Sequence, residues 1–321
     1  MRGRQAATAG AIMGKIAGGA MGEMVDGTIG TIGAVVETGA RQLAAAGLSF
    51  GHGTTNAHDE AAWLVLWRLG LPLDSDLSAL KNRPVTQAQL AQVATLFEER
   101  MHSRKPAAYL TREAWLQGVA FYIDERAIVP RSLIAELLAD GSVDEFLGAH
   151  TRQVLDLCTG NGSLAVLAAL AWPEVQVTGA DISPEALAVA RINVERHGLQ
   201  QRIALQLSDG LSALPGPWDL ILCNPPYVNA ASMATLPAEY RAEPRLALAG
   251  GADGMDFIRP LLRTAAACMS DNAVLVLEIG NERPGFEAAF AQHPVHWLAT
   301  SAGPDQVLLL TRQALALFFC S

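Results

Sequence analysis

The sequence predicts an α/β fold: a mostly parallel sheet with helices on both faces, preceded by a smaller helical domain. Three observations carry this. From Gln153 onward, short apolar runs alternate with helical stretches, the pattern of repeated β-α-β units. Between about Thr31 and Lys105 the apolar spacing is helical instead. The glycine-bearing and polar segments that could carry chemistry fall at predicted strand ends, where open α/β sheets bind their ligands.

Composition fits such a body. The chain has 321 residues, 50% of them hydrophobic and 17% charged, enough for one large core and an appended domain and too apolar for disorder. A formal net charge of -9 argues against a free-standing nucleic-acid binder, which normally carries a basic face, and suits a basic protein partner. Cys158, Cys223, Cys268 and Cys320 are far apart, and Cys158 and Cys223, inside apolar strand-like runs, read as buried free thiols. No stretch reaches the roughly 18 uninterrupted apolar residues of a membrane span. Residues 1–33 are rich in Gly and Ala. Glycines interrupt any signal-peptide apolar region there, so the segment is expected to be a flexible extension and the protein cytoplasmic.

The elements follow in order. Residues 34–106 are expected to form a helical substrate-binding domain. Asp59-Glu60 introduces the apolar run Ala61 to Trp67, and acids are favourable at a helix N-terminus. Thr86-Gln87-Ala88-Gln89 fits a capping box, followed by Leu90, Val93, Leu96 and Phe97 at helical spacing. Residues 107–131 change character: Tyr109-Leu110, Trp115-Leu116 and Val119 to Ile123 read as short strands, with a hairpin linking two domains. Residues 132–321 form the α/β domain. Its strands are expected at Val154–Leu157, Val175–Ala180, Ile203–Leu207, Asp219–Cys223, Ala273–Ile279 and Gln306–Leu310, with helices at Ser163–Ala171 and Pro184–Gly198.

The loop Asp156-Leu157-Cys158-Thr159-Gly160-Asn161-Gly162 joins the first of these strands to its helix, and its glycines let backbone approach a ligand closely. Asp181 ends the next strand, at the distance where an acid meets a ribose diol in nucleotide-binding folds. A lone G-x-G would suit a dehydrogenase equally, but Ala165 stands where the third glycine of that fingerprint would be. Asp156 adds a carboxylate that repels a pyrophosphate and welcomes an ammonium. The electrostatics therefore favour S-adenosylmethionine, which carries an ammonium and a sulfonium and no phosphate. Asp156 reads alternatively as a loop-bracing carboxylate, and Asp181 as a helix cap ahead of Ser183-Pro184. In Ser208-Asp209-Gly210, Asp209 could accept from an adenine amino group or belong to a simple turn.

Asn224-Pro225-Pro226-Tyr227 ends the fourth strand, and its two prolines fix a rigid turn. The turn would aim the Asn224 side chain and the Pro225 carbonyl at one point. An amide or aniline-like NH₂ is a poor nucleophile because its lone pair is delocalised. Two acceptors gripping both N–H bonds draw the nitrogen toward tetrahedral geometry and stabilise the charge that develops on it. Tyr227 supplies a π face for the sulfonium methyl and the planar amide. The histidines suggest no metal site: His293 and His296 are separated by Pro294, with no third ligand near.

An Asn-Pro-Pro-Tyr turn on this fold is shared by amino methyltransferases acting on adenine, cytosine and glutamine. Within that group the chain resembles the protein-glutamine N5-methyltransferases, through Ala108-Tyr109-Leu110-Thr111, Phe121-Tyr122-Ile123-Asp124-Glu125, Leu155 to Gly160 and the helical N-terminal domain. The resemblance covers about Leu48 to Arg312. It implies a class I S-adenosylmethionine-dependent methyltransferase with a Rossmann-like seven-stranded sheet. Asp156, Cys158, Thr159, Gly160, Asn161, Gly162, Asp181 and Asp209 would then meet the cofactor, and Asn224 to Tyr227 the glutamine, with Asn224 touching both. Release-factor enzymes typically carry Pro-Arg-Pro-Glu-Thr where this chain has Pro130-Arg131-Ser132-Leu133-Ile134. That difference, with Gly51-His52-Gly53-Thr54-Thr55-Asn56, Leu236 to Pro244 and Gly250 to Gly254, is similar to the branch acting on ribosomal large-subunit protein three. A release-factor enzyme and an adenine-N6 methyltransferase are the rival readings. The second should carry a basic groove or a target-reading domain.

Overall fold

The computed structural model describes residues 28–291, 293 and 295–317, and these fall into two compact units. One unit holds the described residues up to Arg112 together with Pro237–Ala242. The other holds Glu113–Leu236 and the described residues from Glu243 onward.

The first unit begins with strand β1 (Thr28–Thr31), followed by helices α1 (Ile32–Ala45), α2 (Ala57–Arg68) and α3 (Leu77–Leu80). Strand β2 (Pro84–Thr86), which pairs antiparallel with β1, leads into α4 (Gln87–Ser103) and the short α5 (Ala107–Thr111). Residues 28–33, expected to belong to a flexible extension, instead form a strand and the start of α1, with Thr31 accepting from the Ala34 backbone as its cap. The remainder of that extension lies outside the described residues. The capping box at Thr86 and Gln89 is formed in both directions. Tyr109-Leu110, expected to be strand, is helical: Ala107 and Ala108 are strong helix formers behind Pro106, and Thr111 donates its hydroxyl to the Ala107 carbonyl at 3.0 Å.

Leu43, Leu64, Val93 and Phe97 are completely buried in this unit, and Gly39 leaves the room that the Phe97 ring fills. Charge is buried there as well. Arg100 is fully enclosed and donates from Nε to Glu60 Oε1 at 2.8 Å, so Glu60 serves as an ion partner and not merely as a helix-terminal acid. Glu239, from Pro237–Ala242, is equally enclosed, its Oε1 lying 2.8 Å from Arg104 Nε and 3.5 Å from Arg100 Nη1. Tyr240 stacks against His52, with ring centroids 4.3 Å apart.

The second unit opens with a hairpin of β3 (Ala114–Leu116) and β4 (Val119–Phe121). Gln117 and Gly118 at its tip both have positive φ, the backbone of a tight two-residue hairpin turn. Phe121 is buried in the core of this unit beside Ile134, so the hairpin packs as part of the α/β body and not as a separate linker. After α6 (Ile134–Ala139) come β5 (Gln153–Leu157), α7 (Ser163–Ala171), β6 (Gln176–Asp181), α8 (Pro184–Arg196), β7 (Ile203–Leu207) and β8 (Trp218–Cys223). The chain continues through α9 (Ala230–Thr235), α10 (Ile258–Thr264), β9 (Met269–Glu278), β10 (His296–Thr300) and β11 (Gly303–Thr311).

The sheet has seven strands in the order β10-β11-β9-β8-β5-β6-β7. Strands β9, β8, β5, β6 and β7 pair in parallel, while β11 runs antiparallel to both β9 and β10. Strand β10 has no counterpart among the expected strands: it is an edge strand whose single buried residue is Leu298, too little apolar signal to stand out. Along the central strands, alternate residues serve opposite faces. Val154, Leu220, Leu222 and Val276 pack on one core, and Leu155, Ile221, Cys223 and Leu275 on the other. Strand order reverses between β5 and β8, so the carboxyl ends of β5, β6, β7 and β8 border the switch point, where this architecture opens a crevice. Among the described residues no helix is long and apolar enough to cross a membrane.

Candidate active site

A cavity of about 340 Å³ opens there, within the usual small-molecule range of roughly 300–1,000 Å³. Its wall brings together Cys158, Gly160, Asp181, Asp209 and Asn224, which lie at or just beyond the carboxyl ends of β5, β6, β7 and β8. Cys158 holds a φ of 61°, unusual for a residue with a side chain, because the loop turns sharply on leaving β5. It is therefore a loop residue on the cavity wall and only half-buried, not the core strand thiol its sequence context suggests. A hydrogen bond with Cys223 and burial push its thiol well above the usual range. Asp181 accepts from the Gly160 backbone at 2.9 Å and from the Ser183 backbone at 2.9 Å, tying the glycine loop to the next strand. The helix cap of α8 is the Ser183 side chain, which accepts from Ala186 N at 3.1 Å.

Asp156 does not line the cavity. It is buried behind the loop, where its Oδ2 accepts from Thr159 Oγ1 at 2.5 Å and from the Ala165 backbone at 2.9 Å. Burial pushes its carboxyl up to about 7. Thr159, Asn161 and Gly162 also stand behind the wall: Thr159 and Asn161 are buried, and Gly162, with φ 80°, lies where a side chain would press on Ala190. Asn193 on α8 completes the scaffold. Fully buried, it donates to the carbonyls of Tyr122 and Asn161 at 3.0 and 2.8 Å and accepts from Tyr122 N at 2.7 Å. Asp156, Thr159, Asn161 and Gly162 thus make contacts that shape the loop, which folds them back toward α7 and α8.

Asn224 and Pro226 lie on the same wall at the end of β8, while Pro225 is buried. The Asn224 side chain makes no hydrogen bond among the described residues. Tyr227 is the most heavily supported residue of the turn. Its hydroxyl donates to Glu278 Oε1 at 3.2 Å, and a side chain on Gly280 or Gly250 would come within 2.5 Å of its ring or 2.7 Å of its backbone. Burial and the neighbouring Glu278 carboxylate push its phenol far up. Downstream, Asn229 is gripped by Glu282 at 2.8 and 3.0 Å and caps α9.

The domain model described as "Methyltransferase small domain" matches residues 135–240. A ribosomal protein uL3 glutamine methyltransferase of Burkholderia pseudomallei is 49% identical over 293 residues, covering 87% of this chain and 94% of the relative. The Bordetella pertussis protein of the same name is 51% identical over 276 residues, covering 85% and 92%. That of Neisseria meningitidis is 48% identical over 275 residues, covering 84% and 89%. The chain belongs to the ribosomal protein uL3 glutamine methyltransferase family.

It is accordingly an S-adenosylmethionine-dependent methyltransferase, and the cavity's charge suits that cofactor. Asp181, Asp209 and Asp256 contribute carboxylates to the wall. Arg126, the one cationic side chain on it among the described residues, is spent on Asp124, which it grips at 2.8 and 2.7 Å. Burial pushes the Asp124 carboxyl up, but the hydrogen bonds from Arg126 and Tyr122 outweigh it and hold the group at about 2. Among the described residues no cation on that wall is left for a phosphate, whereas an ammonium and a sulfonium meet the Asp181 and Asp209 carboxylates; Asp256 lies 3.9 Å from Arg259.

Several residues of this site are not legible in the sequence. Glu278 and Asn193 sit inside an apolar strand and a helix with no motif around them. Arg131 and Glu243 are visible as parts of the branch signature but not as a pair: Arg131 grips Glu243 through two hydrogen bonds of 2.6 and 2.7 Å.

Proposed function

We propose that this methyltransferase transfers the methyl group of S-adenosylmethionine to the side-chain amide nitrogen of a glutamine in ribosomal protein uL3, the large-subunit protein three. In this reading Asn224 and Pro225 hold the amide. The observation that carries it is the Asn224 side chain, on the cavity wall at the end of β8 and without a hydrogen-bond partner among the described residues. Bound there, S-adenosylmethionine supplies an electrophilic methyl on a sulfonium. Gly160, Asp181 and Asp209 on the same wall are the residues proposed to hold it, Asp181 accepting from the ribose hydroxyls and Asp209 from the adenine amino group. Cys158 and Asn224 line the same cavity, while Asp156, Thr159, Asn161 and Gly162 shape the loop from behind.

Asn224 Oδ1 and the Pro225 carbonyl accept the two N–H bonds of the target amide, which orients its lone pair and stabilises charge arising on nitrogen. Neither acceptor is a strong base. One N–H proton therefore passes to solvent as the nitrogen gains its methyl. Pro226, on the cavity wall, gives the amide a flat surface, and Tyr227, anchored on Glu278, keeps the turn rigid. The net charge of -9 supports a basic protein substrate over nucleic acid, and action in the cytoplasm, where ribosomal proteins are made, is part of the same proposal.

The test is a competition for labelled cofactor between purified uL3, a release factor and duplex DNA, followed by mass spectrometry of each. Methylation of a uL3 glutamine, abolished when that glutamine is replaced, is the expected result. Preferential labelling of the release factor would move the substrate to the sister branch, and labelling of DNA alone would overturn the protein-substrate reading. Asn224→Ala should lower turnover by about 10²–10³ with cofactor affinity unchanged, the usual loss for one preorganised polar contact. A parallel collapse of cofactor affinity would make Asn224 a cofactor ligand instead.

A further inference from the structure

Tyr227 is held by a device that no methyltransferase motif in the sequence announces. Its hydroxyl donates to Oε1 of Glu278, a carboxylate only 3% exposed at the end of β9. The other oxygen of Glu278 accepts from the Ser132 hydroxyl at 2.6 Å and from the Leu133 backbone at 2.9 Å. Ser132 is itself buried, and its oxygen also accepts from Ile134 N at 3.2 Å, which fixes the rotamer. Glycine closes the remaining sides. A Cβ on Gly280 would meet the Tyr227 ring at 2.5 Å, one on Gly250 would meet its Cα at 2.7 Å, and Gly254 abuts its carbonyl. Gly280 thus lies close against the ring and Gly250 and Gly254 against the backbone, while a single hydrogen-bonded chain anchors the hydroxyl, with Ser132 and Tyr227 both donating to Glu278.

We infer that Ser132 and Glu278 are positioning residues for methyl transfer: by anchoring Tyr227 they fix the turn that carries Asn224 on the cavity wall. The inference rests on the reading that Asn224 and its neighbours hold the target amide. A buried carboxylate with three donors around it is an expensive arrangement for mere stability, since an apolar group of the same size would pack without losing hydration. What the carboxylate adds is direction. Its two oxygens translate the position of the Ser132 hydroxyl into the position of the Tyr227 hydroxyl across β9.

The experiment compares Ser132→Ala, Ser132→Thr, Glu278→Gln, Tyr227→Phe and the double variant Ser132→Ala with Tyr227→Phe, with Asn224→Ala run alongside. For each, kcat and KM toward uL3 are measured together with cofactor affinity by calorimetry. Ser132→Ala should lower kcat by about tenfold and Glu278→Gln by up to about 10²-fold, the scale of a small misalignment of reacting groups. Cofactor affinity should stay unchanged. Ser132→Thr, which keeps the hydroxyl, should restore kcat, and the double variant should be no slower than Tyr227→Phe alone. If Glu278→Gln does not fold, the Ser132 pair carries the test, since it changes a single hydroxyl. Folded Ser132→Ala with normal kcat, or losses that multiply in the double variant, overturns the inference even where Asn224→Ala abolishes turnover. Normal turnover in Asn224→Ala would instead remove the amide site, and this inference with it.

Discussion

Glu239 and Glu243 belong to different units of the fold, and both side chains are fully enclosed, yet they are held in opposite ways. Glu243 accepts directed hydrogen bonds: two from the Arg131 guanidinium and one from the Val129 backbone at 2.9 Å. Glu239 lies 2.8 Å from Arg104 Nε and 3.5 Å from Arg100 Nη1, but among the described residues neither of its oxygens is hydrogen-bonded, because those N–H groups do not point at them. Its partners supply charge without direction. A planar fork locks a carboxylate in distance and angle, whereas a charge held by proximity alone keeps its place but not its orientation. The stretch between Tyr227 and Pro244 therefore ends on a rigid anchor at Glu243 and carries a softer one at Glu239.

The largest expected effect comes from removing the rigid anchor's partner. Arg131→Met would remove the guanidinium that grips the Glu243 carboxylate and should cost about 3–5 kcal/mol in denaturant unfolding. A loss below about 1 kcal/mol would mean that the carboxylate's other contacts, the Val129 backbone among them, satisfy it. Glu243→Gln, which keeps the shape but loses the charge, should cost about 1.5–3 kcal/mol, the worth of hydrogen bonds to a charged group. The same substitution at Glu239 should cost about 1 kcal/mol or less, since no directed bond is lost and Arg104 is partly exposed to water. Equal losses for the two glutamine variants would erase the distinction between the anchors. A separate calorimetric measurement checks the cavity: Asp181→Ala should weaken S-adenosylmethionine binding by about 1.5–3 kcal/mol, and unchanged affinity in a folded variant would exclude Asp181 from the cofactor site.

Features whose parts lie close together along the chain are legible in the sequence alone. The Asp156 to Gly162 loop, the Asp181 strand end and the Asn224 to Tyr227 turn each carry their chemistry within a few positions, and local backbone rules suffice to locate them on the fold. The capping box at Thr86 is legible for the same reason. Contacts that bridge long stretches of chain are not. Ser132 meets Glu278 146 positions on, Arg131 meets Glu243 112 positions on, and Tyr122 meets Asn193 71 positions on. No local pattern distinguishes Glu278 from any other residue of an apolar strand. The misreadings have equally physical causes. Tyr109-Leu110 looks like strand by composition but follows Pro106 and two alanines, and β10 is an edge strand with little to bury. The sequence lets Asp156 either face a ligand or brace its loop, and the contacts to Thr159 and Ala165 belong to the second alternative.

The burial of Asp156 makes the fold a proton acceptor. Asp156 has an ordinary carboxyl value of 3.8, and burial pushes it up to about 7 in the folded chain, with the Asp181 charge adding to the rise against the hydrogen bonds of Thr159 and Ala165. Between those values the folded chain binds a proton that the unfolded chain has released. The stability contributed by this group is full below about pH 3.8 and is lost as pH rises through about 7. The melting temperature should decline over that window on this account, and Asp156→Asn, which has no proton to lose, should flatten the decline. A mildly acidic medium therefore favours the folded chain through this one group, while the hydrogen bonds from Thr159 and Ala165, which favour the charged carboxylate, hold its proton uptake back.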